Sequence, residues 1–171
     1  MNTSYKGRCF IAQREACVTV AYEDGAHYSL GFGDNDPMLT AASTTTLEAA
    51  WERLKENLIQ REAAVNTLLK IQPDQQQFDA LVSCYFQAGN QVRPVIALVN
   101  AGLNDDAMMA LLAINRDSTH REFKLGLAKR RLAEATMFML GDYGTLDTLK
   151  LFTGDPKTTP FTEVPFPSET S

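Results

Sequence analysis

The sequence predicts an α+β fold in which helices dominate, and three observations predict it. Residues 18–33 alternate apolar and polar positions around Asp24-Gly25, the period of a strand with a turn signal in its middle. From residue 46 to residue 140 apolar residues recur every three or four positions, the period of helices. The two patterns are segregated along the chain rather than interleaved, and no internal repeat is present.

Taken in order, residues 3–14 form an opening helix, with Tyr5, Cys9, Phe10 and Gln13 at helical spacing and Ile11 beside them. Glu15 falls at its C-terminal end, where the negative pole of the helix dipole disfavours an ionised carboxylate. Val18, Val20 and Tyr22 then alternate with Thr19 and Ala21, and Tyr28, Leu30 and Phe32 alternate with Ser29, Gly31 and Gly33. This is a β-hairpin or small antiparallel sheet, with Asp24 in the turn and Ser29 on the return strand. Residues 34–43 form a polar loop around Pro37. Thr45 and Glu48 make a capping box for a helix over 46–69, in which Leu47, Trp51, Leu54, Leu58, Val65 and Leu68 follow helical spacing and the Trp51, Leu54, Leu58 stripe is core. At 1.5 Å per residue such a helix spans roughly 36 Å, enough to join the β region to the helices beyond it. Pro73 opens a helix over 74–88, with Phe78, Leu81, Val82, Tyr85 and Phe86 as its apolar face and Gly89-Asn90 as its stop. Shorter helices come next over 93–100 and 105–114, and a last one over 127–140 closes at Gly141. After Gly144, four prolines stand among threonines and acids without a period, so 145–171 reads as an irregular tail, loose or laid on the body by Phe152, Phe161 and Phe166.

The whole is one domain or two small lobes sharing a core. A chain of 171 residues buries about 70% of its unfolded surface and needs no disulfide or metal to fold. Cys9, Cys17 and Cys84 are odd in number and far apart, and the histidines are two, His27 and His120, without ligand spacing. A zinc site and a disulfide framework are both disfavoured, and the cysteines read as small buried hydrophobes. The net charge of −5 argues against nucleic acid as the partner and favours a neutral or locally contacted substrate. No apolar run approaches the roughly 20 residues that span a bilayer. Met1-Asn2-Thr3-Ser4-Tyr5-Lys6 lacks the basic and apolar regions of a signal peptide, so synthesis and folding in a cytoplasm are expected.

The chemistry-bearing residues lie at the β unit. Glu15 and Asp24 are separated by eight residues, and Ser29 comes after them in Tyr28-Ser29-Leu30-Gly31-Phe32-Gly33. Two carboxylates and a hydroxyl are what hydrolysis of a glycosidic bond needs: one acid protonates the leaving oxygen, the other holds or activates water. Acid pairs at this spacing are common and most are solvated charge. Asp24 also suits an Asx-turn, and Ser29 a solvent-facing strand position.

Three motifs carry a family resemblance. Gln75-Gln76-Gln77-Phe78-Asp79-Ala80-Leu81-Val82-Ser83 continues through Tyr85-Phe86-Gln87-Ala88-Gly89-Asn90. Gly126-Leu127-Ala128-Lys129-Arg130-Arg131-Leu132-Ala133-Glu134-Ala135 runs on to Phe138 and Gly141-Asp142-Tyr143-Gly144. With Ala21-Tyr22-Glu23-Asp24 and Ser29-Leu30-Gly31-Phe32-Gly33, these resemble the phage-type lysozymes, glycoside hydrolase family 24, in order and spacing over residues 8–144. The resemblance implies a lysozyme-like two-lobed fold over 1–144: a β lobe at 16–44, a helical lobe from 1–15 and 70–144, and helix 46–69 joining them.

It also implies a function: cleavage of the β-1,4 bond between N-acetylmuramic acid and N-acetylglucosamine, by direct attack of water with inversion. The family's glutamate, aspartate and threonine correspond to Glu15, Asp24 and Ser29, as general acid, water-holding carboxylate and water-binding hydroxyl. Arg130 or Arg131 would orient Glu15, while His27, Asp34, Gln87 and Asn90 are candidate substrate contacts. Four residues separate Asp24 from Ser29 where the family has five. Counting from Glu23 would restore five but leave seven after Glu15; the aromatic two positions earlier, Tyr22, favours Asp24. Ala16 replaces the glycine usual after the glutamate, and Asp34 the histidine usual after Gly-x-Gly. No metal or cofactor is implied. The implied partner is peptidoglycan, met by a monomer after holin release from the host cytoplasm or after delivery by a virion, to which the tail could attach. Two other readings use the same residues: a non-catalytic murein-binding or virion structural relative, and a lytic transglycosylase, which needs only the glutamate.

Overall fold

The computed structural model describes residues 1–116 and 122–169; His120 lies outside them. The elements are α1 (Tyr5–Glu15), β1 (Cys17–Asp24), β2 (His27–Gly31), α2 (Leu47–Leu68), α3 (Gln75–Ala88), a 3₁₀ turn (Gly89–Val92), α4 (Arg93–Asn100), α5 (Asn104–Leu112), α6 (Leu125–Leu140), β3 (Thr148–Phe152) and β4 (Phe161–Pro165). The architecture is α+β with helix in the majority, as the segregated periods require. No helix among the described residues is long and apolar enough to cross a membrane.

The helix bounds fall within two residues of expectation, and the small offsets have local causes. Helix α2 starts one residue late, because the Thr45 N–H is already bonded to Thr19 O at 2.9 Å. The capping hydroxyl is therefore that of Thr46, which accepts the Ala49 N–H at 3.1 Å, and the box with Glu48 is not formed. Helix α3 has the anticipated start, the Asp74 N–H donating to Gln77 Oε1 at 3.1 Å. Its end and that of α6 are marked by glycines at positive φ, Gly89 at 55° and Gly141 at 66°.

The larger correction concerns the tail. Residues 148–165 are an antiparallel hairpin, paired from Thr148↔Pro165 to Phe152↔Phe161. Strand β3 also runs parallel to β1 through Cys17↔Leu151 and Val18↔Phe152, giving one four-stranded sheet in the order β2-β1-β3-β4. The prolines do not forbid this: Pro156 and Pro160 fall in the connecting turn, and Pro165 ends an edge strand.

The chain divides into two compact units. The first, Met1–Arg8 with Leu58–Thr145, has a core of helices in which Phe78, Leu81, Ile96, Leu111, Met137 and Phe138 are fully buried. Its buried charges are paired. Arg131 grips Glu134 through two nitrogens at 2.7 and 2.9 Å, and Arg130 Nε joins at 3.1 Å. Ser83 Oγ donates to the same carboxylate at 2.7 Å. Asp79 accepts from the Ser4 N–H, Gln75 Nε2 and Tyr143 Oη at 3.0, 2.9 and 2.7 Å.

The second unit, Cys9–Asn57 with Leu146–Ser171, holds the sheet. Trp51 is its central side chain, set edge-on to Phe32 at 6.2 Å and tilted against Phe166 at 6.3 Å. Burial of a tryptophan on this scale contributes about 3–5 kcal/mol, by the usual cost of truncation to alanine.

Candidate active site

Three local decisions of the backbone build the site. Helix α1 ends at Glu15, and the chain turns into β1 through Ala16 at φ 60°, the one non-glycine with positive φ among the described residues. The turn delivers Glu15 half-buried, with its Oε2 facing Gly33. A Cβ on Gly33 would stand 3.9 Å from that oxygen, an ordinary contact, and it is the φ of 83° there that calls for glycine.

The second decision is the hairpin turn. Strands β1 and β2 pair as Tyr22↔Ser29, Glu23↔Tyr28 and Asp24↔His27, leaving Gly25 and Ala26 as a two-residue loop. Gly25 alone takes positive φ, at 67°, as a type II′ turn requires. Asp24 thus closes the strand rather than occupying the turn's centre. Pairs of the same parity share a face, so Tyr22, Asp24, His27 and Ser29 all lie on one side, with Asp24 and Ser29 as diagonal neighbours.

This parity explains the spacing. With a two-residue loop, four intervening residues bring a hydroxyl to the acid's own face, whereas a fifth would turn it away unless the loop also grew by one. The Ser29 hydroxyl is buried and donates to Asp24 Oδ2 at 3.5 Å, a long hydrogen bond. A serine facing solvent is therefore not what the structure shows.

The third decision is a bulge. Between Val18↔Gly31 and Tyr22↔Ser29, β1 has three residues where β2 has one. The surplus is paired elsewhere, Val20 bridging Thr44 and the Ala21 N–H donating to Ser43 O at 2.9 Å. Tyr22 lies beside the acids: burial raises its phenol pKa most, then the charge of Asp24, with a hydrogen bond to Ser29 acting the other way and Asp155 and Glu15 adding smaller increments. Tyr22 and Asp155 are neighbours that spacing did not single out as site residues.

The other sequence candidates are scattered over both units. His27 is exposed at the start of β2, opposite Asp24. Asp34 is held by an ion pair to Arg53, whose other nitrogen reaches Asp36 at 3.0 Å. Asp34 and Arg53 border a cavity of about 300 Å³ that Leu30, Phe32, Leu39 and Leu54 also line. Gln87 is exposed near the end of α3, and Asn90 is exposed in the 3₁₀ turn. Arg131 is fully buried, bound to Glu134 and to Cys84 Sγ at 3.1 Å, while Arg130 reaches Glu134 and Ser83 O. Cys9, Cys17 and Cys84 are buried thiols. Among the described residues no group of three His, Cys, Asp or Glu side chains could hold a metal ion.

The phage lysozyme family model matches residues 12–134, a span that contains Glu15, Asp24 and Ser29. The endolysin of Acyrthosiphon pisum secondary endosymbiont phage 1 is 30% identical over 144 residues, covering 81% of this chain and 98% of that one. The endolysin of Bacillus phage B103 is 29% identical over 148 residues, 83% of this chain, and the match spans only 56% of that longer protein. Among solved structures, the endolysin from Escherichia coli O157:H7 phage FAHEc1 superposes with a TM-score of 0.78 at 28% identity, over 85% of this chain and 98% of that one. The chain belongs to the phage lysozyme family, a family of peptidoglycan hydrolases.

Proposed function

We propose that this chain is a muramidase that hydrolyses the β-1,4 bond between N-acetylmuramic acid and N-acetylglucosamine, with inversion at the anomeric carbon. Glu15 is the general acid and gives its proton to the departing O4 of N-acetylglucosamine. Asp24 takes a proton from the attacking water, which the Ser29 hydroxyl helps to hold. The water oxygen bonds to C1 of N-acetylmuramic acid as the C1–O4 bond breaks, and one water is consumed per bond. The enzyme works as a monomer and reaches the wall by holin release or with an infecting virion.

The observation that carries this reading is the buried Ser29 hydroxyl on the face of Asp24, 3.5 Å from its carboxylate, in spite of the shorter spacing. An acid and a hydroxyl aimed at one point can fix a water, which transglycosylation does not need. The test is turbidity loss of outer-membrane-permeabilised bacteria, with mass spectrometry of the released fragments. The native chain should clear the suspension and yield reducing ends one water heavier than 1,6-anhydro products. Clearing by Glu15→Gln at the native rate would remove Glu15 from the mechanism, and 1,6-anhydro products would replace hydrolysis by transglycosylation. Proton NMR at early times should show the α-anomer first if the route inverts.

A further inference from the structure

The segment that carries both acids is bound along its length by the C-terminal hairpin. Two residues before Glu15, Gln13 Nε2 donates to Thr148 O at 3.1 Å. Two and three residues after it, Cys17 and Val18 pair with Leu151 and Phe152, and Thr19 Oγ1 donates to Phe152 O at 3.2 Å. At the far end, Lys157 Nζ donates to Glu23 O at 3.1 Å, one residue before Asp24.

Lys157 is presented by a tight turn. The Asp155 carboxylate accepts the Lys157 N–H at 2.8 Å, and its carbonyl accepts the N–H groups of Thr158 and Thr159 at 3.0 and 2.8 Å. At Gly154 the turn is closely packed: a Cβ there would meet Thr159 Oγ1 at 2.7 Å, so that hydroxyl would have to move. Strands β3 and β4 lie beyond residue 134, where the match to the family ends. This grip is therefore an addition to the region that the family model describes.

We propose that the C-terminal hairpin is a positioning element for the catalytic pair, and that Lys157 is the residue through which it fixes Asp24. The proposal rests on the assignment of Asp24 made above. Asp24↔His27 is the last pair of a two-stranded tip, the part of a hairpin most prone to fray. Holding the carbonyl of Glu23 fixes the peptide plane that leads into Asp24, and with it the direction of the Asp24 side chain. The expected consequence falls on kcat rather than KM, because misplacing a catalytic group affects the reacting geometry and leaves remote contacts intact.

The experiment compares Lys157→Ala and Lys157→Arg with the native full-length chain, and uses Glu15→Gln as a control. Hydrogen exchange of peptides covering residues 22–29, without substrate, is read beside kcat, KM and Tm. Lys157→Ala should speed exchange at residues 23–28 and lower kcat by about three- to tenfold, with KM and Tm unchanged. Lys157→Arg should restore both. Unchanged exchange and unchanged kcat in Lys157→Ala, with Glu15→Gln inactive, would overturn the positioning role and leave the site reading standing. Faster exchange with unchanged kcat would also overturn it. If Glu15→Gln cleared bacteria like the native chain, the site reading itself would fall, and the exchange arm would still decide whether Lys157 fixes the tip.

Discussion

Ala16 holds Glu15 in place at a cost. Its φ of 60° is the left-handed conformation, which costs an L residue about 1–2 kcal/mol, and glycine is free of that penalty. Ala16→Gly should therefore raise stability by about 0.5–1 kcal/mol after the added freedom of the unfolded glycine is subtracted, and raise Tm by roughly 1–4 °C in calorimetry. On the proposed mechanism Glu15→Gln keeps the shape and removes the proton donor, so kcat should fall by at least about a hundredfold in fragment-release assays. On the same mechanism Ser29→Ala removes one hydrogen bond to the attacking water and should lower kcat by about tenfold with KM little changed. Glu15 and Asp24 stand out in the sequence by residue type and spacing, and Ser29 by its hydroxyl, one residue short of the family's spacing. The face that Asp24 and Ser29 share is not legible there, because it depends on the loop length and on a bulge whose spare residues pair with 43–45.

Among the elements, α3 and α6 are joined by a buried ionic cluster with Glu134 at its centre. Its carboxylate takes two arginines and the Ser83 hydroxyl at no solvent exposure. Glu134→Ala would leave buried guanidinium charge without a counter-ion, a loss of about 3–5 kcal/mol and a Tm fall of roughly 10 °C by thermal unfolding. The helices were readable because each announces itself locally: a 3.6-residue apolar period, Pro73 before one start, Gly89 and Gly141 at two ends. The C-terminal hairpin was not. Leu149 and Leu151 do alternate with Thr148 and Lys150, but strand β4 reads Phe-Thr-Glu-Val-Pro and is mostly exposed. Its pairing with β3, and that of β3 with a strand more than a hundred residues earlier, is tertiary information that no short window contains.

At the scale of the whole molecule, buried thiols set a limit at high pH. Burial pushes Cys17 and Cys84 from about 9 up to about 12, with Glu48 and Glu134 respectively adding to the rise. Below pH 9 the thiols are neutral in folded and unfolded chains alike, so their contribution to stability is fully present. As pH rises from 9 towards 12 the unfolded thiols ionise while the folded ones do not, and stability falls, by up to about 1.4 kcal/mol per pH unit for each thiol. Urea midpoints measured across this window should drop, and Cys84→Ala should flatten the slope. The sheet has a temporal consequence as well. Strand β1 is synthesised more than a hundred residues before its partner β3. On a ribosome adding roughly 5–20 residues each second, the acid-bearing strand waits several seconds for its neighbour. Loop closure over that distance is slow in refolding too, since contacts of high sequence separation form late. A nascent chain can thus complete its helices before the strand that ends at Asp24 gains its parallel neighbour, so the sheet is the last part of this fold to close.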